Sequence, residues 1–135
     1  MRIRKDSDER FPRFSYATRA VFTDKTCFMA TGQDLLFALA VLNSKVGRYQ
    51  FMQTVSMMDN GGYLMQKIYV EQIRLPNIEK SEQTKLSTAV KPIVGGKTNE
   101  AVERAIDEAV ATLFGLSKSE CDYLDSLFRH TQVRG

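Results

Sequence analysis

The sequence predicts an α+β fold, a small mixed β-sheet with two packed helices followed by a helical C-terminal portion, and three patterns lead there. Aromatic and β-branched residues crowd two stretches before residue 76, an unbroken apolar run fills Leu35 to Leu42, and apolar residues recur at i, i+3, i+4 after residue 100. A chain of 135 residues, 43% hydrophobic and 26% charged, can bury one core but not two independent ones. Residues 1–78 are therefore read as an α/β region and residues 79–135 as a helical region packing on it.

Each element has its own signal. Arg13 to Phe22 and Thr26 to Thr31 flank Asp24-Lys25, which predicts a hairpin turning near Thr23 to Lys25. Thr31 and Asp34, three apart, suit the free amides of a helix start, and Leu35 to Leu42 is apolar on every side, as a helix buried all round should be. Asn43-Ser44 marks a break. Val46, Tyr49, Met52 and Val55 then recur at helical spacing, with Lys45 and Arg48 sharing a face. Asp59 to Gly62 is a turn signal, because glycine takes positive φ without steric cost, and Tyr63 to Tyr69 and Val70 to Leu75 are read as extended up to Pro76.

Beyond that proline the pattern turns helical. Glu79 to about Ile93 carries a sparse apolar stripe that Gly95-Gly96 interrupts. Val102, Ala105, Ile106, Ala109, Val110 and Leu113 form an apolar face opposed by Glu103, Asp107 and Glu108. Gly115 ends that helix, and Ser117 to Glu120 forms a capping box for a last helix with Leu124, Leu127 and Phe128 inward.

Composition excludes several kinds of chemistry. The single histidine, His130, lies near the C-terminus, Cys27 and Cys121 are far apart, and the sequence holds no Walker loop, GxGxxG or HExxH. No catalytic residue and no metal ligand set is expected, and both thiols are read as reduced. No apolar run approaches the roughly 20 residues that cross a bilayer, and the charged start at Arg2 to Asp6 is not a signal segment. A cytoplasmic protein without membrane contact is expected. Residues 1–76 hold 11 Lys+Arg against 7 Asp+Glu, whereas residues 77–135 hold 8 against 9. Such a basic excess can attract polyphosphate or simply decorate a solvated surface.

Three pieces stand in a telling order: Leu35-Leu36-Phe37-Ala38-Leu39-Ala40-Val41-Leu42-Asn43-Ser44-Lys45, the Gly61-Gly62 turn, and Tyr69-Val70-Glu71-Gln72-Ile73-Arg74-Leu75-Pro76. In that order they resemble the C-terminal specificity domain of TaqI-like adenine-specific DNA methyltransferases, fused type IIG restriction-modification enzymes included, and they are similar to the target-recognition halves of type I specificity subunits. Leu113 to Ser117, with Glu120 and Tyr123, looks like the short helical tail of many such enzymes. The resemblance spans about two thirds of the chain. It implies a target-recognition module that reads double-stranded DNA for a catalytic domain carrying an Asn/Asp-Pro-Pro-Tyr/Phe motif and binding S-adenosylmethionine. Pro12, Pro76 and Pro92 are all isolated, so that motif is not in this sequence and no cofactor is expected in this chain. The resemblance then implies a C-terminal piece of a larger protein.

A DNA reader needs cations for phosphate and a few side chains for base edges. Lys45, Arg48 and Lys67 are the phosphate candidates, while Arg19, Asn60, Gln66 and Arg74 are candidates for bases or backbone. Gly61 and Gly62 either form a plain turn or admit close approach of backbone to DNA, and Tyr63, like Tyr49, either packs or stacks on a base. Lys45 and Arg48 equally fit an ordinary solvated face. The rival function is a non-catalytic helical module that binds a partner subunit through the Val102 to Leu113 stripe; an independent nuclease or hydrolase ranks last because acid–base residues are scarce.

Overall fold

The computed structural model describes residues 2–4, 14–23, 29–55, 62–64, 66–94 and 100–129. Its architecture is helical, which corrects the α+β expectation. Among the described residues six helices form: α1 (Leu35–Asn43), α2 (Lys45–Thr54), the single turn α3 (Lys67–Val70), α4 (Lys80–Val94), α5 (Glu100–Leu113) and α6 (Lys118–Arg129). A three-residue antiparallel ribbon joins Arg2–Arg4 (β1) to Gly62–Leu64 (β2), with Ile3 opposite Tyr63. No mixed sheet accompanies it among the described residues.

Apart from Tyr63 and Leu64, which lie in β2, the expected strands fail for a physical reason. Residues 14–23 and 29–31 adopt no regular structure, and the turn at Asp24-Lys25 lies outside the described residues. Strand-forming side chains stabilise a strand only against a neighbouring strand and a covered face, and from Ser15 to Thr23 every residue is exposed. In the second stretch Tyr69, Val70 and Ile73 pack on Phe51 and Val55. Their i, i+1, i+4 spacing is helical, and burying that face outweighs the β-propensity of Ile68 to Val70.

The helices begin and end largely as local chemistry dictates. No residue of Leu35 to Leu42 is exposed, and Phe37, Ala40 and Val41 are buried. The expected Thr31/Asp34 start is not made, however: Asp34 takes φ 57°, caps nothing with its side chain, and pairs with Lys80 instead. At Ser44, one hydroxyl serves both helices, donating to Val41 O at 2.7 Å and accepting from the Gly47 N–H at 3.1 Å. Gly115, at φ 68°, ends α5 in a Schellman motif in which Gly115 N donates to Thr112 O and Leu116 N to Ala111 O. Ser117 and Glu120 then form the reciprocal capping box of α6.

One core spans both regions of the sequence. Phe37, Val41 and Val46 meet Leu86, Val90, Ile106, Val110, Leu124 and Phe128, so Ile106 and Val110 of the α5 stripe are buried within their own chain, with Val102 and Leu113 partly buried against them. Ala105, Ala109, Met52 and Leu127, expected inward, are exposed. A satellite cluster lies elsewhere on α2: Phe51 and Val55 are buried under Phe14, Tyr69, Val70 and Ile73. Helix α2 touches α1, α3, α5 and α6 and is the hub. Among the described residues no helix is long and apolar enough to cross a membrane.

Candidate functional site

Helix α2 divides the charged residues between two sides. On the first side Lys45 begins the helix, and its N–H donates to Asp107 Oδ1 at 2.8 Å. Its ammonium lies 2.7 Å from Asp125 Oδ1 and 4.0 Å from Asp107 Oδ2. One turn on, the Arg48 guanidinium sits 4.4 Å from the centroid of the Phe128 ring. Two of the three phosphate candidates, Lys45 and Arg48, are thus directed at α5 and α6. Between these helices and α2 runs a cleft of about 400 Å³ whose lining carries five carboxylates against Lys45 and Arg104. That balance repels phosphate.

Asp107 has the perturbed carboxyl of this cleft. Burial pushes it above the ordinary aspartate range; the Lys45 N–H and ammonium pull it down, and Asp125 and Glu103 push it further up. Because the net direction is up, its charged form costs the folded state something. The resulting stability term is fully present below the unfolded aspartate value and is lost as pH rises through the higher folded value. Asp107→Asn, which keeps an oxygen for the Lys45 N–H, is therefore expected to melt at neutral pH within about 0.5 kcal/mol of wild type or above it. Asp107→Ala leaves that N–H without its acceptor and should cost about 1–2 kcal/mol. Chemical melts at pH 7 decide: an Asn variant that falls as far as the Ala variant would mean that the charge itself stabilises.

Gln50 comes two residues after Arg48, about 200° further round the helix, and it serves a different purpose. Its side-chain amide brackets one peptide residue: the Arg74 N–H donates to Gln50 Oε1 at 2.8 Å and Gln50 Nε2 donates to Arg74 O at 3.1 Å. Asn43, at the end of α1, does the same to Phe14, accepting from its N–H and donating to its carbonyl at 2.9 Å each. Each amide thereby does for one residue what a strand neighbour would do. Both bracketed segments converge on Phe51, with Phe14 edge-on to it at 5.9 Å and Ile73 in the same cluster.

The remaining predicted residues fall into place around these anchors. Arg19 and Arg74 are exposed and make no ion pair among the described residues. Lys67 is exposed and pairs with Glu71 at 3.3 Å, a surface pair of little energetic weight. Gln66 is exposed just before α3. Gly62 and Tyr63 belong to β2, and Asn60 and Gly61 lie outside the described residues. Sequence reasoning brought Lys45 and Arg48 together but missed Asn43, Gln50, Asp107 and Asp125. The amides had no signal beyond being hydrogen-bonding side chains in or beside an otherwise apolar helical run.

What these elements define is a helical protein whose hub helix faces an acidic cleft on one side and holds two irregular segments with exposed arginines on another. No family model, curated protein or solved structure matches the chain.

Proposed function

We propose that this chain is a DNA-contacting, non-catalytic specificity module of a restriction-modification methyltransferase, working beside a catalytic domain that binds S-adenosylmethionine. The observation that carries the reading is the pair of amide brackets, which fix residues 14 and 74 on the α1–α2 hairpin while Arg19 and Arg74 stay exposed and without ion pairs among the described residues. Irregular segments on a rigid helical base suit groove contacts, since such loops carry side chains without a sheet's regular spacing. The ordered sequence pieces at Leu35 to Pro76 support it independently. Lys45 and Arg48 are reassigned from phosphate contacts to internal partners. Arg19, Gln66, Lys67 and Arg74 carry the DNA-facing role.

Retention of a randomised duplex pool on the chain at low and moderate salt, with sequencing of what is retained, tests this. Retention should fall steeply with salt and enrich a short motif. Absence of retention at low salt would overturn the reading.

A protein-interaction module is the second reading, and it draws on a surface other than the α5 stripe. Tyr16, Val21, Phe22 and Met29 are exposed on the irregular segments before α1. Light scattering over a range of concentrations, with and without duplex DNA, separates the two readings: DNA-independent self-association favours the interaction module.

A further inference from the structure

We infer that Gln50 is a positioning residue that pre-orders Arg74 for contact with a nucleic-acid acceptor, an inference that rests on the DNA-binding reading above. Three constraints converge on this one arginine. The preceding side chain, Ile73, is anchored in the Phe51 cluster. Both main-chain polar groups of Arg74 are held by the Gln50 amide at 2.8 and 3.1 Å. The following residue, Leu75, precedes Pro76, whose ring restricts the backbone of its neighbour.

The side chain is treated in the opposite way. It is exposed, and among the described residues no carboxylate or ring engages it. Three lysines of the chain already face carboxylates. Lys67 pairs with Glu71, Lys80 with Asp34, and Lys45 with Asp125. An arginine fork on a fixed Cα recognises paired acceptors, either two phosphate oxygens or the O6/N7 edge of guanine. Fixing the backbone beforehand removes an ordering cost that binding would otherwise meet. Gln50 therefore acts on DNA through Arg74 without touching it.

The test is a double-mutant cycle in the full chain, using Gln50→Met, which keeps the length and removes the amide, together with Arg74→Ala and the double variant. Binding of a randomised-sequence duplex is measured across a salt series, and circular dichroism confirms that each variant keeps its helices. Arg74→Ala should weaken binding roughly tenfold and Gln50→Met severalfold. In the Arg74→Ala background, Gln50→Met should add no further loss. A salt slope smaller by about 0.9 in Arg74→Ala identifies phosphate as the acceptor; an unchanged slope with relaxed preference at one position identifies guanine. Either result supports the inference. An undiminished Gln50→Met effect in the Arg74→Ala background would overturn it while leaving the DNA-binding reading intact. Failure of the wild-type chain to bind any duplex would remove both.

Discussion

Gly47→Ala is expected to destabilise the protein by roughly 3 kcal/mol or more, although alanine is the better helix former. Intrinsic propensity favours the substitution by about 1 kcal/mol. Against it stands the turn at Ser44, which folds α2 so tightly onto the end of α1 that a Cβ at position 47 would lie 2.7 Å from Leu42 O and 2.9 Å from Leu42 C, and closer still to Val41 O. These are backbone atoms. Val41 O also accepts from the Ser44 N–H and hydroxyl, so it cannot withdraw without loosening the joint it holds. Overpacking of this kind commonly costs 1–3 kcal/mol even where side chains can yield, and here the obstacle is main chain in a buried corner. The urea midpoint should fall sharply with little change in slope. A midpoint equal to or above that of wild type would mean that α1 and α2 do not approach so closely.

How much of this was legible in the sequence depends on how far apart the cooperating residues lie. The end of α1, the end of α5 and the start of α6 are written in neighbouring residues, whereas the expected start of α1 at Thr31 and Asp34 was not made. Eight apolar positions end at Asn43, Gly115 supplies the positive φ of a Schellman motif, and Ser117 and Glu120 cap each other three residues apart. The face shared by Lys45 and Arg48 was equally local. What that face meets was not, because Asp107 and Asp125 are 62 and 80 residues further along the chain. Charge near the start of α2 looked available to phosphate until folding brought carboxylates beside it. The brackets from Asn43 and Gln50 have the same character, joining residues 29 and 24 apart. The error over strands has a different origin. In Arg13 to Phe22 and Tyr63 to Leu75 the β-branched and aromatic content was real, but propensity is a preference for a surface that a partner must complete. Tyr69, Val70 and Ile73 completed theirs on Phe51 at helical spacing.

That dependence makes Phe51→Ala the second large effect, and one with a distinctive spatial pattern. Phe51 is fully buried, and truncating a buried phenylalanine typically costs 3–5 kcal/mol. The cost here should fall mainly on one side of the molecule. Phe51 belongs to the satellite cluster and not to the main core, where Val41 and Val110 are fully buried. Its ring is the surface on which Phe14, Tyr69, Val70 and Ile73 pack, so its loss releases both bracketed segments while α1, α4, α5 and α6 keep their own contacts. Stability distributed in this way appears as local opening. Amide exchange in Phe51→Ala should quicken at Phe14 and across residues 69–74, whereas protection at Val90, Val110 and Leu124 should stay close to that of wild type. Val110→Ala, placed in the main core, should raise exchange throughout the helices. On the DNA-binding reading, Phe51→Ala also weakens duplex retention more than Gln50→Met does, since the Phe14 anchor and the Ile73 anchor beside Arg74 are lost together. Uniform loss of protection would show instead that the satellite cluster and the helical core unfold as one unit, and the two segments would then owe their order to the whole fold instead of to Phe51.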